Sequence, residues 1–124
     1  MMLASSRLQG FVQTTDAARA RDFYRERLGL PLLTENEFVM VFGVRDSAVL
    51  VQKVSAFTPA AATVLGWNVD DILQAVSALG ARGVKFERYG WLQQDALGIW
   101  TAPDGGKVAW FKDPDGNTLS VSQH

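Results

Sequence analysis

The chain has 124 residues, 48% apolar and 20% charged, with a formal net charge of −1. That is enough for one domain of ordinary size, and it offers no basic field to hold a phosphate backbone, which argues against a nucleic-acid partner. There is no cysteine, so disulfides, thiolate metal sites and cysteine nucleophiles are excluded together.

The first ten residues lack the apolar run of a signal peptide, and no apolar stretch approaches the ~18 residues needed to span a bilayer. A soluble cytoplasmic protein with no membrane partner is the expectation.

Residues 8–14 read as a strand, with Gln9, Phe11 and Gln13 on one face and Leu8, Gly10 and Val12 on the other. Thr15 or Asp16 can cap the helix that follows, whose apolar stripe is Ala20, Phe23, Tyr24 and Leu28. Arg19, Arg21, Arg25 and Arg27 are interleaved with Asp22 and Glu26, the pattern of a solvated helix face. Gly29 suits the left-handed position after a helix, and Pro31 cannot continue one. Three short strands rich in Val, Phe and Leu follow over residues 31–34, 37–42 and 48–53.

Residues 54–61 form a small-residue linker holding Pro59, and then the order repeats. Residues 64–69 read as a strand, Asp70 or Asp71 as a cap, and Ile72, Val76 and Leu79 as a helical stripe that Gly83 ends. Strands are predicted over residues 84–89, 98–102, 107–111 and 118–121. Pro103-Asp104-Gly105-Gly106 makes one hairpin turn and Asp113-Pro114-Asp115-Gly116-Asn117 another. An offset of 55 residues lays Gln9 on Val64 and Asp16 on Asp71. The pattern is βαβββ taken twice. It predicts one α+β domain over residues 1–124, with module one at about 7–54 and module two at about 62–122. Helices on the outer face would leave a curved, mostly antiparallel sheet of about eight strands with a concave cup inside.

Three segments carry a family resemblance. Asp22-Phe23-Tyr24-Arg25-Glu26-Arg27-Leu28-Gly29 closes the first helix, Val69-Asp70-Asp71 opens the second, and Trp110-Phe111-Lys112-Asp113-Pro114-Asp115-Gly116-Asn117 forms the last hairpin. In this order and spacing they resemble the vicinal oxygen chelate superfamily, which includes glyoxalase I, bleomycin resistance proteins and extradiol dioxygenases. The resemblance implies a divalent ion held on the concave face by His, Gln and Glu, chelating two neighbouring substrate oxygens. In this chain the corresponding positions read Gln9, Leu50, Val64 and Ser120. Leu and Val offer no donor, and the only His is His124 at the terminus. No family-type metal, no cofactor and no catalytic residue is therefore expected. A shifted set of Gln9, Gln52 and Glu87 is the alternative. No Ser-His-Asp set, HExxH motif or glycine-rich phosphate loop is present.

Alternation places Gln9, Phe11, Gln13, Gln52, Asn68, Trp110 and Ser120 on the inner face, with Trp100 and Met40 joining them. Aromatic walls with a few uncharged hydrogen-bonding groups suit a small organic ligand, and the same rings suit packing or a dimer interface. Residues 90–97 make a long connection that suits a lid or a dimer contact. The expected function is a metal-free binding protein of the resistance or sequestration type, holding an aromatic or amphipathic small molecule as a homodimer. A metal-dependent lyase, isomerase or dioxygenase with shifted ligands, and a protein-interaction module, are the alternatives.

Overall fold

The computed structural model describes residues 2–124. The chain divides after Thr58 into two compact units. In the first, a single 3-10 turn at Leu3–Ser5 precedes strand β1 (Gln9–Thr14), helix α1 (Ala17–Arg21), and strands β2 (Leu32–Glu35), β3 (Val39–Val44) and β4 (Ser47–Lys53). The sheet order is β1-β4-β3-β2. β1 runs parallel to β4 and the other pairs are antiparallel.

Asp16 caps α1, its carboxylate accepting from the Arg19 N–H at 3.2 Å. Helix winding continues through Asp22–Arg27 as a wider π turn, in which the Leu28 N–H reaches back five residues to the Phe23 carbonyl. The wider turn lets two consecutive residues, Phe23 and Tyr24, both face inward, their rings edge to face at 5.3 Å. Val12, Ala20, Phe23, Tyr24, Met40, Phe42, Val49 and Val51 form the core. Burying a side chain of this size contributes about 1.5–3 kcal/mol. Three arginines of this segment form ion pairs: Arg21 with Glu35 on β2, Arg25 with Glu26 and Arg27 with Asp22.

The second unit repeats the plan with β5 (Thr63–Asn68), α2 (Ile72–Ala81), β6 (Trp100–Thr101), β7 (Lys107–Lys112) and β8 (Thr118–Gln123). Its order, β5-β8-β7-β6, again has one parallel pair, β5 with β8. Asp71 caps α2 through the Gln74 N–H. The helix ends where Gly83 turns to φ 90°, the Val84 N–H returning to Leu79 and the Gly83 N–H to Gly80. Ile72, Val76, Val84, Ile99, Ala109, Phe111, Leu119 and Val121 are buried, and Trp67 and Phe86 lie against Phe111 at 6.5 and 5.6 Å. The last hairpin is organised by buried Asp113. Its carboxylate accepts from the Asp115 and Asn117 N–H groups and from the Asn117 amide.

The α+β class and the doubled module are as expected, with strand pairing forming two four-stranded mixed sheets. The segment at 84–89 differs. It makes a single bridge, Phe86 opposite Phe111, rather than a strand. The Gln94 side chain takes the Glu87 carbonyl and the Tyr89 N–H that a neighbouring strand would have used. The strand expected at 98–102 shortens to Trp100–Thr101.

Candidate functional site

In each unit the helix packs on one sheet face and leaves the opposite face without a helix. On the first, the register sets Gln9 opposite Ala48, Phe11 opposite Leu50 and Gln13 opposite Gln52. Because Val12 and Thr14 are buried on the helix side, alternation turns Gln9, Phe11 and Gln13 the other way. Phe11 is 48% exposed, and the Gln13 amide donates to Gln52 Oε1 at 3.0 Å. Four of the expected residues thus share one face. Met40 does not join them. It is fully buried opposite Val51 on the helix side, because its parity is that of core residue Phe42.

On the second unit, Phe111 and Ala109 turn to the core with Leu119 and Val121. The opposite face carries Trp110 across from Ser120, and Ser120 across from Gly66. One row further, Trp100 stands across from Val108, Val108 from Ser122 and Ser122 from Asn68. Trp100 and Trp110 touch, with ring centroids 6.0 Å apart. Asn68, Trp100, Trp110 and Ser120 therefore also share one face. Loop residues after α2 extend this aromatic row. Tyr89 meets Trp110 edge-on at 5.7 Å and stacks on Trp91 at 5.5 Å. Burial of its ring, and secondarily the Glu87 carboxylate, raise the Tyr89 pKa above the ordinary phenol value. Residues 92–95 and 99–101 also border a wide, shallow depression of about 630 Å³.

Tyr89 and Gln94 are not among the residues expected from the sequence. Trp91 was noticed only as part of a long connection. Gly66 has a readable signal, a glycine inside a strand, which marks close approach. Gln94 acts through side-chain bonds to backbone four to seven residues away, which leave no periodic trace.

The residues do not fit a divalent ion of the kind the fold suggests. Such a site needs about three protein donors, and Leu50 and Val64 supply hydrocarbon. In the shifted set, Gln9 lies four residues from Gln13 along β1, about 13 Å at the rise of a strand, while Gln52 is engaged with Gln13. The Glu87 carboxylate faces Lys112 Nζ at 3.9 Å. Among the described residues no three His, Cys, Asp or Glu side chains gather.

Residues 7–121 match the model of the Glyoxalase/Bleomycin resistance protein/Dioxygenase superfamily, and the chain belongs to that superfamily. No curated protein matches it. Solved structures share its fold. A bleomycin resistance determinant encoded on the transposon Tn5 has 21% identity and a TM-score of 0.76, covering 97% of this chain and 98% of its own. TnmS3, an antibiotic binding protein from Streptomyces sp. CB03234, has 23% identity and a TM-score of 0.71, covering 99% and 98%. A lactoylglutathione lyase from Agrobacterium tumefaciens has 16% identity and a TM-score of 0.73, covering 96% and 93%. No helix among the described residues is long and apolar enough to cross a membrane.

Proposed function

We propose that this chain is a metal-independent binding protein that sequesters an aromatic or amphipathic small organic molecule, acting as a homodimer in the cytoplasm. The observation that carries the reading is the character of the sheet faces turned away from the helices. They offer aromatic rings (Phe11, Trp100, Trp110) and uncharged hydrogen-bonding groups (Gln13, Gln52, Asn68, Ser120). Sequestration needs complementary surface and no catalyst, and apolar walls with a few polar groups are the usual composition of such sites. The two antibiotic-related neighbours are consistent with this use of the fold. The faces as read carry no acid cluster, so a neutral ligand is favoured over a polycation.

The test is a tryptophan-fluorescence screen against a panel of neutral aromatic and amphipathic compounds, followed by calorimetry on the hits. Saturable binding at one site per chain, weakened in Trp110→Ala, is the expected result. A panel without a single saturable ligand would remove this reading. It would favour a protein-interaction module, for which the exposed Trp91 is the observation to pursue.

A further inference from the structure

Tyr89 is held between two rings of its own unit. It stacks on Trp91 with planes 29° apart and meets Trp110 at 74°, and Trp110 continues to Trp100. The four rings form one ladder, which begins on the sheet and ends at Trp91, 79% exposed. With one face toward Tyr89, the indole leaves most of its surface open to solvent.

The connection bearing Trp91 is built, although it is long. The Gln94 amide donates to the Glu87 carbonyl at 2.9 Å and the Gly98 carbonyl at 2.8 Å, and its oxygen accepts from the Tyr89 N–H at 2.8 Å. One side chain thereby ties together the backbone on both sides of Trp91. Asp95 accepts from the Leu97 and Ile99 N–H groups, and Arg88 donates to the Ala96 carbonyl. A segment already ordered loses little conformational entropy on binding. A wide, mainly polar depression of about 630 Å³, with Gln93, Gln94, Asp95 and Thr101 among its lining residues, lies beside the ladder and shares Trp100 with it. The nearby charges have partners: Glu87 faces Lys112 at 3.9 Å, Arg88 donates to a loop carbonyl and Asp95 Oδ1 accepts from loop N–H groups.

We infer that the second unit selects a flat, uncharged conjugated ring system by stacking on the Trp91–Tyr89 ladder, and that Gln94 is the residue that positions Trp91 for it. This rests on the small-organic-ligand reading and narrows the ligand class. A saturated ligand of equal size would gain area burial alone, whereas a planar one adds ring stacking with favourable offset or edge-on geometry.

The experiment is calorimetry on the full chain with phenazine as the planar probe and cyclododecanol as the saturated one. Phenazine binds saturably and more tightly than cyclododecanol. Trp91→Ala weakens phenazine about five- to a hundredfold, the range of single-ring stacking, and Trp91→Phe retains most of the affinity. Gln94→Leu weakens phenazine in the wild-type background and adds nothing in the Trp91→Ala background, because it acts through Trp91. Gln94→Glu keeps the acceptor for Tyr89 but cannot donate to the two carbonyls, and it weakens binding in the same way should Gln94→Leu fold poorly. Equal phenazine affinity in wild type and Trp91→Ala overturns the inference, as does cyclododecanol binding as tightly as phenazine. Both leave the broader ligand reading standing. Failure of phenazine to bind the wild type overturns the inference as well, and only failure of the whole neutral panel removes the broader reading with it.

Discussion

A Cβ added to Gly66 would stand 2.7 Å from the Ser120 hydroxyl oxygen, closer than unstrained contacts allow. The two residues face each other across the parallel β5–β8 pair, and Ser120 is nearly buried. Gly66→Ala is expected to destabilise the protein by about 1–2 kcal/mol, within the usual cost of overpacking, since the Ser120 side chain must leave its present position. Gly66→Ala with Ser120→Gly should recover most of the loss, because the second change removes the atom in conflict. Urea unfolding of the two single variants and the double one measures this. Additivity of the single effects would show that the residues do not compete for space.

The cluster around Glu35 predicts an acid limb in stability. Hydrogen bonds from Arg21 and then from Lys53, at 2.5 and 2.6 Å, hold the carboxyl at a pKa of about 2 against a usual 4.5. A carboxyl whose folded pKa is depressed binds its proton more readily in the unfolded chain. Its stabilising effect is therefore full above pH 4.5 and is lost as pH falls toward 2. The melting temperature of the wild type should exceed that of Glu35→Gln at neutral pH, and the gap should close across that window. Because Glu35 is near the surface, added salt should narrow the gap too. A gap independent of pH would assign the effect to something other than ionisation.

Asp113 and Asn117 can be tested as a pair. The Asp113 carboxylate takes two backbone N–H groups and the Asn117 amide at 2.8–3.0 Å, and both residues are buried. Asp113→Ala removes the acceptor of all three bonds and should cost about 2–4 kcal/mol. Asp113→Asn sets two amide groups against each other, and Asp113→Asn with Asn117→Asp restores one donor and one acceptor. The double variant is expected to be more stable than Asp113→Asn by denaturant unfolding. If it is no better, the backbone bonds alone carry the hairpin.

What was legible in the chain was what local chemistry dictates. Asp16 and Asp71 cap their helices because a short acceptor before an apolar stripe has few other roles. The opposition of Trp110 and Phe111 followed from the period of a strand. Parity within β3 says that Met40 and Phe42 share a face. It does not say which face, and that depended on Met40 pairing with Val51. The missing strand at 84–89 was illegible for a different reason. Nothing in its own composition forbids it, and what displaces it is the amide of a residue beyond its end, Gln94. The candidate site was legible as faces: Gln9, Phe11, Gln13 and Gln52 fell together, as did Asn68, Trp100, Trp110 and Ser120. Its extension to Tyr89 and Trp91 depends on a loop conformation that periodicity does not encode.

The donor set makes a final prediction about ions. With Leu50 and Val64 at two of the four family positions, and Gln52 held by Gln13, the protein should keep no stoichiometric Ni²⁺, Zn²⁺, Mn²⁺ or Fe²⁺ after incubation and desalting. Elemental analysis reads this directly. Stability offers an independent measure, because an ion bound only by the folded state at a hundred times its dissociation constant would add about 2.7 kcal/mol. Unfolding curves with and without each ion should superimpose. One ion per chain, with a matching rise in stability that Gln9→Ala abolishes, would make Gln9 a metal donor and the protein a candidate for metal-assisted catalysis.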